Sequence, residues 1–170
     1  PYPSRGPCHP QRIGEYFRAP GWTSYDGRLQ YQTYDGISHL VNGSNCIGIR
    51  VAEGWFCGRI GFEGGHRNIW GPHTALLAQL EVTYADGETC RIKSDGSWKV
   101  IQGPTRLAEI YDGEKYDMTM EVPDWSSVID RESLKGWTVL QTLPLPPAST
   151  QLVAGFAEPV QRIETIKPVK

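Results

Sequence analysis

The sequence predicts an all-β protein, a jelly-roll β-sandwich of two antiparallel sheets. Three observations carry this. With 19 Gly and 13 Pro the chain is rich in turn formers, and six Trp and eight Tyr supply flat side chains that suit sheet faces. Several segments alternate apolar and polar residues with a period of two. No stretch carries a convincing amphipathic helical pattern, and no internal repeat is found. A chain of 170 residues is long enough for one domain with a core.

The elements follow in order. Pro1 to Pro10 holds four prolines and no periodic pattern, so it reads as an irregular N-terminal segment. Arg28 to Asp35 alternates, with Leu29, Tyr31 and Thr33 opposite Gln30, Gln32 and Tyr34, which is a strand with one wet face. Val41-Asn42-Gly43-Ser44 makes a turn. Asn45 to Glu53 alternates again, with Ile47, Ile49 and Val51 on one face. A glycine-rich stretch then runs from Gly54 to Gly71, with Trp55, Phe62, His66 and Trp70 among its glycines. A stretch this long without periodicity inside a compact domain is often functional.

Ala75 to Tyr84 is a long apolar strand that ends at Asp86-Gly87, a hairpin turn. Glu88 to Ser94 returns, Asp95-Gly96 turns again, and Ser97 to Gly103 completes a meander. Asp124 to Leu140 surrounds a charged segment with Trp125 and Trp137 and has room for one helical turn. Leu143 to Ala148 is a proline-rich linker, and Gln151 to Lys170 supplies a last, exit strand. The domain proper is thus expected over residues 11–142, and the linker and exit over 143–170.

Composition excludes several classes. A formal charge of −2 argues against a nucleic-acid partner, which needs a basic face. No apolar run is long enough to cross a bilayer, so no membrane partner is expected. Cys8, Cys46, Cys57 and Cys90 show no CxxC spacing, which speaks against zinc. Buried thiols and disulfides both remain open for them. Asn42-Gly43-Ser44 fits a glycosylation acceptor as well as a tight turn, which mildly favours a secreted or extracellular setting.

One run stands out, Tyr111-Asp112-Gly113-Glu114-Lys115-Tyr116-Asp117, with three carboxylates and two aromatic rings within seven residues. Read as a catalytic carboxylate pair, it would need the two groups placed across a cleft, which spacing cannot establish. Structural roles account for most of it: Asp112 and Asp117 capping turns, Gly113 at positive φ, and Tyr111 and Tyr116 packed beneath.

This run has company. Ala19-Pro20-Gly21-Trp22-Thr23-Ser24-Tyr25-Asp26 precedes Tyr31-Gln32-Thr33-Tyr34-Asp35, and Gly54-Trp55-Phe56 and Ala75-Leu76-Leu77-Ala78-Gln79-Leu80 follow. With the tail Arg162-Ile163-Glu164-Thr165-Ile166-Lys167-Pro168-Val169, these motifs stand in collinear order across roughly Gln11 to Val169. Together they resemble the N-terminal domain of bacterial and fungal α-L-rhamnosidases of glycoside hydrolase family 78. The resemblance implies a β-jelly roll related to carbohydrate-binding module family 67. Members of that module family bind L-rhamnose with a calcium ion bridging protein and sugar hydroxyls.

The resemblance further implies that the catalytic carboxylates lie in a separate helical barrel. No counterpart of that barrel is found here, so the chain alone is expected not to be an enzyme. Its expected partners are L-rhamnose or rhamnose-containing glycans and the catalytic domain of a parent enzyme. If it binds no sugar, it is expected to be a structural domain packed against that barrel. In the family pattern an apolar strand precedes the segment matching Arg12-Ile13-Gly14. Here Pro1 to Pro10 replaces it, so the jelly roll is expected to lack its first strand.

By position, the implied calcium ligands are Asp26 and carbonyls within 68–74, represented by Asn68 and Thr74. Calcium takes several oxygens, and a vicinal diol can supply two of them. Gly27 stands where a second polar ligand could follow Asp26, and Tyr25-Asp26-Gly27 equally suits an Asx turn. For the sugar itself the candidates are Trp55, His66, Arg67, Asn68 and Trp70. A Trp can stack on a sugar face or lean on the apolar methyl of a 6-deoxy sugar. His66, Arg67 and Asn68 can donate hydrogen bonds to hydroxyls.

Overall fold

A computed structural model describes residues 11–127, 135–158 and 160–168. Cys8, the irregular segment 1–10, and residues 128–134 of the expected helical turn lie outside the described residues. The chain is all-β, as its turn chemistry and alternation require. Eight short strands are found among the described residues, against a single α-helical turn, α1, at Gly54–Cys57. No described helix is long and apolar enough to cross a membrane.

The chain forms two compact units. The first comprises residues 11–48, 124–127, 146–158 and 160–168 of those described. In it β1 (Arg28–Tyr31) pairs in parallel with the last strand, β8 (Gln151–Ala154), from Arg28↔Gln151 to Tyr31↔Ala154. The exit segment therefore returns to the start of the chain, and a Phe17↔Val160 bridge extends the return. Arg12 and Arg162 place their guanidinium groups 4.2 and 5.7 Å from the Phe17 ring centre, a cation–π pairing.

The second unit comprises residues 49–123 and 135–145 of those described. Its strands are β2 (Gln79–Thr83), β3 (Thr89–Lys93), β4 (Lys99–Val100), β5 (Thr105–Glu109), β6 (Gly113–Tyr116) and β7 (Thr138–Val139). They pair antiparallel as β2/β3, β4/β7 and β5/β6. At the β2/β3 hairpin Gly87 has φ 88°, and Asp86 accepts a hydrogen bond from the Glu88 N–H at 2.9 Å. Asp-Gly does here what its chemistry predicts.

The strands differ from expectation in arrangement. Among the described residues the strands pair two by two, three pairs antiparallel and one, β1/β8, parallel. A parallel pair needs a long crossover, and here most of the chain separates its members. Asn45 to Glu53 forms no assigned strand, despite its alternation. Alternation reports which side chains share a face, but a strand also needs a neighbour for its backbone groups. At Gly48 a Cβ would come within 2.6 Å of the Trp125 ring, so only glycine fits there.

The Tyr111–Asp117 run closes β5 onto β6. Gly113 has φ 76° and pairs with Glu109. Asp117 accepts hydrogen bonds from the Thr119 hydroxyl at 2.6 Å and its N–H at 3.0 Å, capping a 3-10 turn over Met118–Met120. Those two bonds hold its carboxyl below the ordinary carboxylate range. Asp112 instead faces Arg59 at 2.7 Å. Tyr111 is half-buried, whereas Tyr116 is exposed and donates its hydroxyl to Glu121 at 2.8 Å. Of the cysteines described, Cys57 is buried and Cys46 and Cys90 are exposed, all three as free thiols. Burial first, and Glu53 second, push the Cys57 thiol up against the opposing pull of Arg67, which disfavours the thiolate.

A candidate carbohydrate loop anchored on a buried carboxylate

Among the described residues only Cys57, Gly58, Pro104 and Glu109 are buried, all of them in the second unit. Glu109 is the unusual member, since a carboxylate without exposed side-chain surface needs partners. It has them. The Arg59 N–H donates to Oε2 at 2.8 Å, and Arg67 Nη1 forms a close ion pair with the same oxygen. Arg59 Nε lies 3.9 Å from Oε1. The other terminal nitrogen of Arg67 donates to Glu53 Oε1 at 2.7 Å, and Glu53 Oε2 accepts from the Ala108 N–H at 3.3 Å. Burial alone would lower the Arg67 guanidinium, but the charges and hydrogen bonds of Glu109 and Glu53 hold it above its usual value.

This cluster fixes both ends of the irregular loop that follows α1. Gly58 permits the approach, because a Cβ there would sit 2.9 Å from the Glu109 Cβ and overlap the Gly54 carbonyl. Asn68 stands at φ 60° and donates its N–H to the Cys57 carbonyl at 3.1 Å. Ile60 and His66 exchange two backbone hydrogen bonds of 2.9 Å, which zip the loop into a miniature hairpin. At its tip Gly61, Glu63, Gly64 and Gly65 all take positive φ. Gly71 lies so close to Phe56 that a Cβ would meet the ring at 2.9 Å.

The structure thus brings Trp55, His66, Arg67, Asn68 and Trp70 onto one turn and one loop of the second unit. His66 and Asn68 are exposed, while Trp55 and Trp70 are half-buried. Trp55 meets Tyr111 edge-on, with ring centres 6.4 Å apart. Arg67 has both terminal nitrogens committed to carboxylates, so its place in the loop is that of an anchor. Sequence reasoning missed Glu109, Glu53 and Arg59, because a buried ion cluster has no spacing rule. Its one trace is Gly58, glycine where the chain must pass a side chain.

The implied calcium ligands are divided. Asp26 belongs to the first unit, Asn68 and Thr74 to the second. All three are exposed. The Asp26 carbonyl accepts from the Thr150 hydroxyl at 2.9 Å, and the Gly27 and Arg28 N–H groups both donate to the Ser24 carbonyl at 2.9 Å, so Asp26 does sit in a tight turn. Among the described residues no three His, Cys, Asp or Glu side chains converge as a metal site.

Comparison with known proteins places the chain. The family model for the α-L-rhamnosidase N-terminal domain matches residues 10–164. An α-L-rhamnosidase of Streptomyces avermitilis is 45% identical over 117 residues, which are 69% of this chain and 11% of that enzyme. One from Alteromonas sp. is 36% identical over 151 residues, 88% of this chain and 16% of that enzyme. Among solved structures, the Aspergillus terreus α-L-rhamnosidase superposes with a TM-score of 0.76 at 38% identity, covering 91% of this chain and 17% of that one. The Streptomyces avermitilis enzyme complexed with L-rhamnose superposes with a TM-score of 0.72 at 35% identity, covering 91% of this chain and 14% of that one. The chain spans between 11% and 16% of the length of the curated relatives it matches. With a family match running over nearly all of its length, this chain belongs to the α-L-rhamnosidase N-terminal domain family.

Proposed function

We propose that this chain is a non-catalytic module that recognises L-rhamnose for an α-L-rhamnosidase, with calcium bridging protein and sugar. One observation carries the reading: an irregular loop, pinned at its base by the buried Glu109, displays exposed His66 and Asn68 beside Trp70. A binding loop has to be held by a rigid support, and this one is. The relative complexed with L-rhamnose adds weight at the level of sugar class.

The donors suit calcium by chemistry. The Asp26 carboxylate in the first unit is a hard oxygen, the type calcium takes, and so are the carbonyls of Asn68 and Thr74 in the second. A calcium ion held by such oxygens would offer open positions to vicinal hydroxyls. His66 and the Asn68 side chain would hydrogen-bond the remaining hydroxyls, and Arg67 would hold the loop. Titration calorimetry of the chain with L-rhamnose tests this, with calcium present and after chelation. Heat that appears with calcium and vanishes with chelator is expected. No heat at millimolar sugar in calcium would overturn the proposal.

A second reading has its own observation. Ile163 is 98% exposed, Ile166 83% and Leu145 76%. Apolar side chains displayed this fully suit a structural domain that seats against the remainder of an α-L-rhamnosidase.

A further inference from the structure

The tip of the anchored loop holds a residue that the rhamnose reading has not used. Phe62 is 83% exposed, between Gly61 at φ 96° and Glu63 at φ 53°. Glu63 is not glycine, and the left-handed region is disfavoured for it. The Gly65 N–H donates to the Phe62 carbonyl at 3.1 Å and tightens the turn. A disfavoured backbone therefore holds a large apolar ring out in solvent. Such an arrangement points to function rather than packing.

The ring is also supported. Tyr111 meets Phe62 at 5.3 Å between ring centres and 88° between planes, so it braces the phenyl ring in an edge-to-face contact. Arg59 lies 5.5 Å from the Tyr111 ring centre and is tied to Asp112 at 2.7 Å. The result is one small apolar face beside a charged pair. A protein partner asks for a wide apolar area, whereas one phenyl ring matches a single sugar ring or methyl group in size.

We infer that Phe62, braced by Tyr111, is the platform for the C6 methyl group of a 6-deoxyhexose, and so sets selectivity for the deoxy sugar. The inference rests on the rhamnose-binding reading. Phenylalanine offers no hydrogen bond, so it rewards a methyl group and gives nothing to a hydroxymethyl group, which would lose water contacts against it.

The test compares L-rhamnose with L-mannose, which differs by a hydroxyl at C6. The 170-residue chain is titrated with each in calcium buffer. The unaltered protein is expected to prefer L-rhamnose about tenfold, the low end for one methyl in an apolar site. Phe62→Ala is expected to bring the two affinities together by weakening L-rhamnose alone. Phe62→Leu, which keeps an apolar surface, is expected to retain part of the preference. Because Phe62 is so exposed, neither change is expected to move the thermal midpoint. Equal binding of both sugars by the unaltered protein overturns the platform and leaves the rhamnose reading standing. So does a preference that survives in Phe62→Ala. If neither sugar binds, the rhamnose reading fails and the platform fails with it.

Discussion

Glu109 is the residue on which the second unit turns. Its carboxylate is enclosed and balanced by two arginines, one of which reaches it from within the loop it organises. Removing the charge of an enclosed carboxylate leaves its partners facing each other without it. Glu109→Gln is therefore expected to destabilise the chain by about 2–3 kcal/mol, on the scale of an unmet buried charge partner. Glu53→Gln is expected to cost less, because Glu53 keeps about a third of its side chain in water. Urea unfolding measures both. An unchanged midpoint in Glu109→Gln would show that the cluster does not hold the fold. None of this was legible in the sequence, where Glu109 stands just ahead of the Tyr111 run and no local rule marks it. Its burial is decided by Gly58 and Arg67, 51 and 42 residues away along the chain, and only the folded chain brings them together.

At the scale of elements the sequence was informative wherever a rule is local. Asp86-Gly87 turns the β2/β3 hairpin, Gly113 turns β5 onto β6, and Asp117 caps the 3-10 turn after β6. Each depends on neighbours within a few residues. Pairing partners were not legible, because β1 meets β8 across most of the chain, and period-two alternation does not name a partner. Sequence motifs likewise picked out five candidates that fall on α1 and the loop after it, but left the place of Asp26 open. The local rules make a contrast that can be measured. Gly87 has φ 88° and open space where a Cβ would go, so Gly87→Ala meets backbone strain alone and is expected to cost about 1–2 kcal/mol. Gly103 also has open space but no positive φ, so Gly103→Ala is expected to be neutral or to stabilise by up to about 1 kcal/mol. Equal effects in urea unfolding would mean that the β2/β3 turn is not held in its left-handed form.

Across the molecule, burial is sparse in both units. Cys57 is the one buried hydrophobic residue among those described. In the first unit Leu152 and Phe156 are 57% and 72% exposed, on or just after β8. In the second, Leu77 is 62% exposed, just ahead of β2. A chain of 170 residues has material enough to bury a core of its own. The curated relatives it matches are about six times as long, since 69% of this chain covers 11% of one and 88% covers 16% of another. On the second reading of function, contacts with the remainder of an α-L-rhamnosidase complete the burial begun here. The chain alone is then expected to bind a hydrophobic fluorescent dye strongly and to unfold in urea with a shallow slope, below about 1 kcal/mol/M, since the slope follows the surface newly exposed. Joined to the remainder of such an enzyme, it is expected to lose the dye signal and unfold at higher urea, as a surface stabilised by a bound partner does. A chain that ignores the dye and unfolds steeply by itself would mean that its apolar residues are covered without a partner, and the seating role would fall.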